Sequence, residues 1–132
     1  MNEFQNIREK VSSMNVLIVD DESAIREQAI LFMEKFCKNV DSAVDGEDAL
    51  NKICKNNNYD IVLTDIRMPK MTGLELTDKI NNMNKKLFIG VMSGSYALYN
   101  KISSRYDIFL EKPININNMK VMLEKVIAVK GL

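Results

Sequence analysis

Residues 16–23 read VLIVDDES, from Val16 to Ser23. Four apolar residues, mostly β-branched, stop abruptly at Asp20, Asp21 and Glu22. A run this short, without polar alternation, predicts a strand covered on both faces. Ser23 then offers an N-cap. Ile25, Ala29, Phe32 and Phe36 follow at spacings of four, three and four, one stripe of a helix. A strand, an acidic break and a helix therefore lie in immediate succession.

The alternation continues outward. Upstream, residues 1–13 are polar, with Phe4, Ile7 and Val11 at helical spacing, which permits a short amphipathic helix or the end of a linker. Downstream, residues 39–44 form a weaker second strand, and Asp45 can cap a helix that buries Ala49, Leu50, Ile53 and Cys54. Ile61, Val62 and Leu63 form the third strand and run into Asp65. Pro69 and Gly73 keep the next loop from turning helical early, before a helix marked by Leu76, Ile80 and Met83. The fourth strand spans 87–92 and ends at Ser93, Gly94 and Ser95. A short helix follows at about 96–103, where Tyr96, Leu98, Tyr99 and Ile102 form a partner face or simply core. Ile108, Phe109 and Leu110 make the fifth strand, ending at Glu111, Lys112 and Pro113. Asn115 caps a last helix with Met119, Leu123 and Val126 inward. Strands separated by single helices must run parallel, which predicts a three-layer α/β/α sandwich.

The chain has 132 residues, enough for one domain, and 46% of them are apolar, enough for a packed core. Eighteen basic residues balance eighteen acidic ones, so the footprint for non-specific nucleic-acid binding is missing. No apolar run approaches a membrane span, and residues 1–14 carry acids and amides where a signal peptide has an apolar core. A cytoplasmic protein is the expectation. Cys37 and Cys54 sit in apolar helical stretches and read as buried small hydrophobes. The nine methionines read as core filler. The chain has no histidine, so imidazole-activated nucleophiles and imidazole metal sites are excluded. Chemistry must come from Asp, Glu, Ser, Thr, Lys and Arg, whose oxygens suit a hard cation such as Mg2+.

The polar residues that adjoin strands fall at one end. Asp20 and Asp21 follow the first strand, Asp65 ends the third, Ser93 the fourth and Lys112 the fifth. The carboxyl edge of an open parallel sheet is where ligands bind. Three close carboxylates repel one another, and a divalent cation relieves that repulsion. Lys112 offers a compact charge for a phosphate oxygen and Ser93 a hydroxyl donor. Together they describe a site for a cation-bound phosphoryl group, with an aspartate as nucleophile. Each residue alone has a plainer reading: the acidic pair as helix caps, Asp65 and Ser93 as turn residues, Lys112 as a solvated surface lysine.

The segments VLIVDDE (16–22), IVLTDIRMP (61–69), VMSG (91–94) and FLEKP (109–113), in this order and each at its strand end, resemble the signatures of response-regulator receiver domains. The similarity covers about residues 14–130, leaving 1–13 as an extension or linker. It implies the flavodoxin-like strand order 2-1-3-4-5. It further implies that Asp65 accepts a phosphoryl group from a sensor histidine kinase or phosphotransfer protein, and that Ser93 and Lys112 assist. Asp20, Asp21, Asp65 and the backbone carbonyl of Arg67 would hold Mg2+, with Mn2+ as a substitute. The Lys112–Pro113 bond would be cis. Ser93 and Phe109 would act as switch residues, Phe109 by packing alone because it lacks a hydroxyl. Arg67 and Ser95 would tune phosphoryl lifetime, Arg67 by covering the phosphate or by pairing with another acid. The active face would comprise the 96–103 helix, the fifth strand and the last helix, and would bind a partner or a second copy.

Two rival functions remain. An aspartyl-phosphate phosphatase of the haloacid-dehalogenase type needs a second Asp two residues after its nucleophile, and Arg67 stands there. A receiver-shaped binding module that is never phosphorylated would not need the full set of polar residues, and this chain has it.

Overall fold

The computed structural model describes residues 2–83, 85–94 and 105–132. Ser95 and the expected helix at 96–103 lie outside them. The elements run α1 (Glu3–Val11), β1 (Asn15–Val19), α2 (Ser23–Met33), β2 (Asn39–Ala43), α3 (Gly46–Lys55), β3 (Ile61–Asp65), α4 (Gly73–Asn81), β4 (Phe88–Ser93), β5 (Ile108–Glu111) and α5 (Ile116–Lys130).

The five strands form one parallel sheet in the order β2-β1-β3-β4-β5. β3 and β4 are buried along their whole length and β1 at all but its first residue, as their unbroken apolar runs require. β2 is an edge strand of alternating exposure, which accounts for its weaker sequence signal.

Alternate strand residues sort into two cores. Val16, Ile18, Ile61, Leu63 and Met92 face Ala29 and Met33 of α2 and Met119, Leu123 and Val126 of α5. Leu17, Val19, Val62, Ile89 and Val91 face Ala49 and Ile53 of α3 and Leu76 and Ile80 of α4. A period of two along each strand thus yields three layers.

The N-terminal residues join the first core. Asn2 closes a capping box with Gln5 at the start of α1. Ile7 and Val11 are buried, and Phe4 stacks on Phe36 with ring centroids 5.7 Å apart. Lys120 of α5 pairs with Glu3 at 2.9 Å.

Two details depart from expectation. Glu22, in an extended conformation, occupies the N-cap of α2, and Ser23 is already helical. Glu22 makes no side-chain cap hydrogen bond. Cys37 is buried but Cys54 is exposed, because the inward stripe of α3 runs through Ala49 and Ile53 and turns Cys54 to solvent.

Candidate functional site

The order β2-β1-β3 means that the chain leaves β1 in opposite directions along the sheet, and a crevice opens at that reversal. β1 pairs with β3 so that Val19 lies beside Thr64, and β3 pairs with β4 so that Asp65 lies beside Met92. β5 brings Glu111 beside Ser93. The residues that follow or end these strands therefore share one edge.

Asp20, Asp21 and Asp65 each present a carboxylate oxygen, all within 4.8 Å of one another. Asp20 is fully buried and Asp65 is 4% exposed, whereas Asp21 opens to solvent. The Lys112 ammonium lies 3.0 Å from Asp20 Oδ2 and 3.0 Å from Asp65 Oδ1. The backbone N–H of Lys112 donates to the Ser93 carbonyl at 2.9 Å, which ties β5 to β4 beside the buried Ser93. The Lys112–Pro113 peptide is cis.

Burial pushes the Asp65 carboxyl above the usual range. Lys112 pulls it down, and the charges of Asp20 and Asp21 add to the rise. Burial alone would lower the Lys112 ammonium. Its hydrogen bonds to Asp20 and Asp65, and their charges, outweigh that and leave it raised. Lys112 is thus held as a cation.

The donor set fits a hard divalent cation. Three carboxylates against one ammonium leave a formal charge of −2, three minus one. All candidate ligands are oxygens, of which Mg2+ needs few from protein. Both carboxylate oxygens of Asp20 are already engaged, Oδ1 by the Glu22 N–H at 2.9 Å and Oδ2 by Lys112. Asp65 shares its Oδ1 with Lys112, and Asp21 keeps the freer oxygens.

The structure thus brings together Asp20, Asp21, Asp65 and Lys112, with Ser93 on the neighbouring strand end. Arg67 is exposed in the loop beyond Asp65. Phe109 is half-buried against the core shared by α3 and α4. Several supporting groups escaped sequence reasoning. The Thr64 hydroxyl donates to the Asp65 carbonyl at 2.9 Å. Gly73 packs on that same carbonyl, and its N–H donates to the Ile66 carbonyl at 2.8 Å. The Arg26 guanidinium donates to the Asp20 carbonyl at 2.8 Å. Only Gly73 left a trace in the sequence, as a glycine opening a helix after a proline-bearing loop.

The family profile of the response regulator receiver domain matches residues 16–124. The chain belongs to that family.

Among solved structures, this receiver domain is 32% identical to the response regulator protein TrrA of Thermotoga maritima, solved in complex with Mg2+-BeF. That match covers 86% of this chain and 98% of TrrA, with a TM-score of 0.77. Among curated proteins, it is 34% identical over 113 residues to the sensor histidine kinase RcsC of Escherichia coli, covering 83% of this chain. It is 32% identical over 123 residues to the 3',5'-cyclic-nucleotide phosphodiesterase regA of Dictyostelium discoideum, covering 88% of this chain. The receiver domain spans only 12% of RcsC and 16% of regA. Its role is that of a phosphoacceptor signalling domain rather than a catalytic one. Among the described residues, no helix is long and apolar enough to cross a membrane.

Proposed function

We propose that Asp65 is the phosphoacceptor and that a sensor histidine kinase or phosphotransfer protein is the donor. The observation that carries this reading is the Lys112 ammonium, 3.0 Å from both Asp65 and Asp20 at the carboxyl edge of the sheet. An Asp65 carboxylate oxygen attacks the phosphorus of a phosphohistidine. The new O–P bond forms as the P–N bond breaks, and the imidazole leaves with the electron pair. Lys112 turns its charge to a phosphoryl oxygen, and the Ser93 hydroxyl donates to another. Asp21, Asp65 and the Arg67 carbonyl would hold Mg2+ directly and Asp20 would hold it through water, since Asp20 is already engaged on both oxygens. Mn2+ would substitute. The bound cation offsets the charge gathered on the phosphoryl oxygens.

The phosphoryl group adds about 1.5 to 2 negative charges. Ser93 and Lys112 follow it, and half-buried Phe109 repacks to present a face built from β5 and α5. That face binds a downstream partner or a second copy and makes no direct contact with nucleic acid, in keeping with the balanced charge. Water later hydrolyses the acyl phosphate at a rate tuned by Arg67 and Ser95. Signalling of this kind belongs in the cytoplasm, and residues 14–130 carry it.

The test is intact mass after incubation with Mg2+ and acetyl phosphate, with Asp65→Asn in parallel. A gain of one phosphate that needs Mg2+ and vanishes in the variant supports the reading. A gain that persists in the variant places the acceptor elsewhere and overturns it.

A further inference from the structure

Arg26 stands in the first turn of α2, where the helix dipole disfavours a cation and where the turn holds no acidic residue. Its location has a local reason. The guanidinium Nη1 donates to the backbone carbonyl of Asp20 at 2.8 Å, while its own N–H donates to the Glu22 carbonyl at 2.9 Å and opens the helix.

The peptide that joins Asp20 to Asp21 is thereby held from both ends of Asp20. The Asp20 N–H donates to Ala43 at 3.3 Å, and its carboxylate receives Glu22 and Lys112. A peptide is planar, so fixing its carbonyl fixes the plane from which the Asp21 Cα departs. Asp20 and Asp65 are set by burial, but Asp21 is exposed and has no such wall around it. The backbone sets where its Cβ starts, and so the range its carboxylate can reach.

We infer that Arg26 is a positioning residue that aims Asp21 at the cation by locking the Asp20–Asp21 peptide. The inference rests on the cation site proposed above and deepens it. A second possible effect of Arg26 has the opposite sign. As a bare positive charge beside three acids it would repel the cation, so its removal would tighten binding. As a positioning residue, its removal loosens binding. Groups that orient metal ligands from behind typically change affinity by about 10- to 100-fold.

The test is Mg2+ affinity by titration calorimetry on the full chain for wild type, Arg26→Met and Arg26→Lys, with urea midpoints measured without metal. The expected result is about tenfold weaker binding in Arg26→Met, partial recovery in Arg26→Lys, and metal-free urea midpoints that move little. Unchanged or tighter binding in Arg26→Met would overturn the inference. If Arg26→Met does not fold, Arg26→Lys decides, since it keeps the charge and alters the hydrogen bond. Weaker binding than wild type supports positioning, and equal binding overturns it. A wild type that takes up no Mg2+ would sink the cation site and this inference with it, whereas wild-type binding with an indifferent Arg26→Met sinks the inference alone.

Discussion

Gly73 lies against the carbonyl oxygen of Asp65 so closely that a Cβ added to it would stand 2.1 Å from that oxygen. The neighbour is backbone and cannot swing aside. Gly73→Ala must therefore push α4 away from the end of β3 or shift Asp65 itself. Overpacking typically costs about 1–3 kcal/mol, and a backbone clash belongs at the upper end. We expect a loss of that size in urea unfolding, together with slowed acetyl-phosphate labelling. Gly94→Ala is the control, because among the described residues nothing lies within 4 Å of its added Cβ. Equal stability of the two variants would refute the contact.

Asp65 gives the metal-free protein a pH dependence of definite sign. Its folded carboxyl is raised above the usual range, first by burial. Its contribution is fully present below the ordinary carboxylate pKa and is lost as pH rises through the raised folded value. Asp65→Asn removes that loss and one of three crowded charges, while its amide oxygen can still accept from Lys112. Without divalent cation, the variant should be the more stable protein above this window, by on the order of 1 kcal/mol. The gap should close as pH falls through it. Urea midpoints of both proteins from pH 3 to pH 8 check this, and a gap independent of pH would refute it.

Lys70 adopts φ of 68° in the loop after Asp65, the left-handed region that side chains avoid. That conformation costs a non-glycine residue about 1–2 kcal/mol, partly offset by the greater chain entropy glycine loses on folding. Lys70→Gly should stabilise the fold by about 0.5–1 kcal/mol. Lys70→Val should do the reverse. Chemical denaturation separates the two outcomes.

The cysteines should report separately. Burial, and then the charge of Asp60, push the Cys37 thiol up to about 12. Cys54 is exposed. A thiol reagent at pH 8 should modify one site in the native protein and the second only on unfolding. Cys54→Ser should abolish the native reaction. Two fast thiols would contradict the burial of Cys37.

The sequence carried the sheet and the site through different signals. β1 and β3 were legible because strands buried on both faces must be apolar throughout, and Asp20, Asp21, Asp65, Ser93 and Lys112 were legible because each interrupts or follows such a run. Partners were not legible. Nothing in the types of Arg26 or Thr64 reveals that they bond to the carbonyls of Asp20 and Asp65, because any main-chain oxygen looks alike in sequence. The outward turn of Cys54 was missed because α3 is amphipathic at a period that leaves one small apolar residue on the wet side. The N-cap of α2 was placed one residue late, at Ser23 rather than Glu22, because Glu22 caps through backbone conformation alone.

The buried anchoring of α1 has a practical consequence. The family profile begins at residue 16, but Ile7, Val11 and Phe4 are packed against Phe36 and the surface of α5. A fragment cut at the profile boundary would uncover that apolar seam and strand Lys120 without Glu3. An excised version intended for spectroscopy or crystallisation should therefore keep α1, to avoid self-association through the stripped surface.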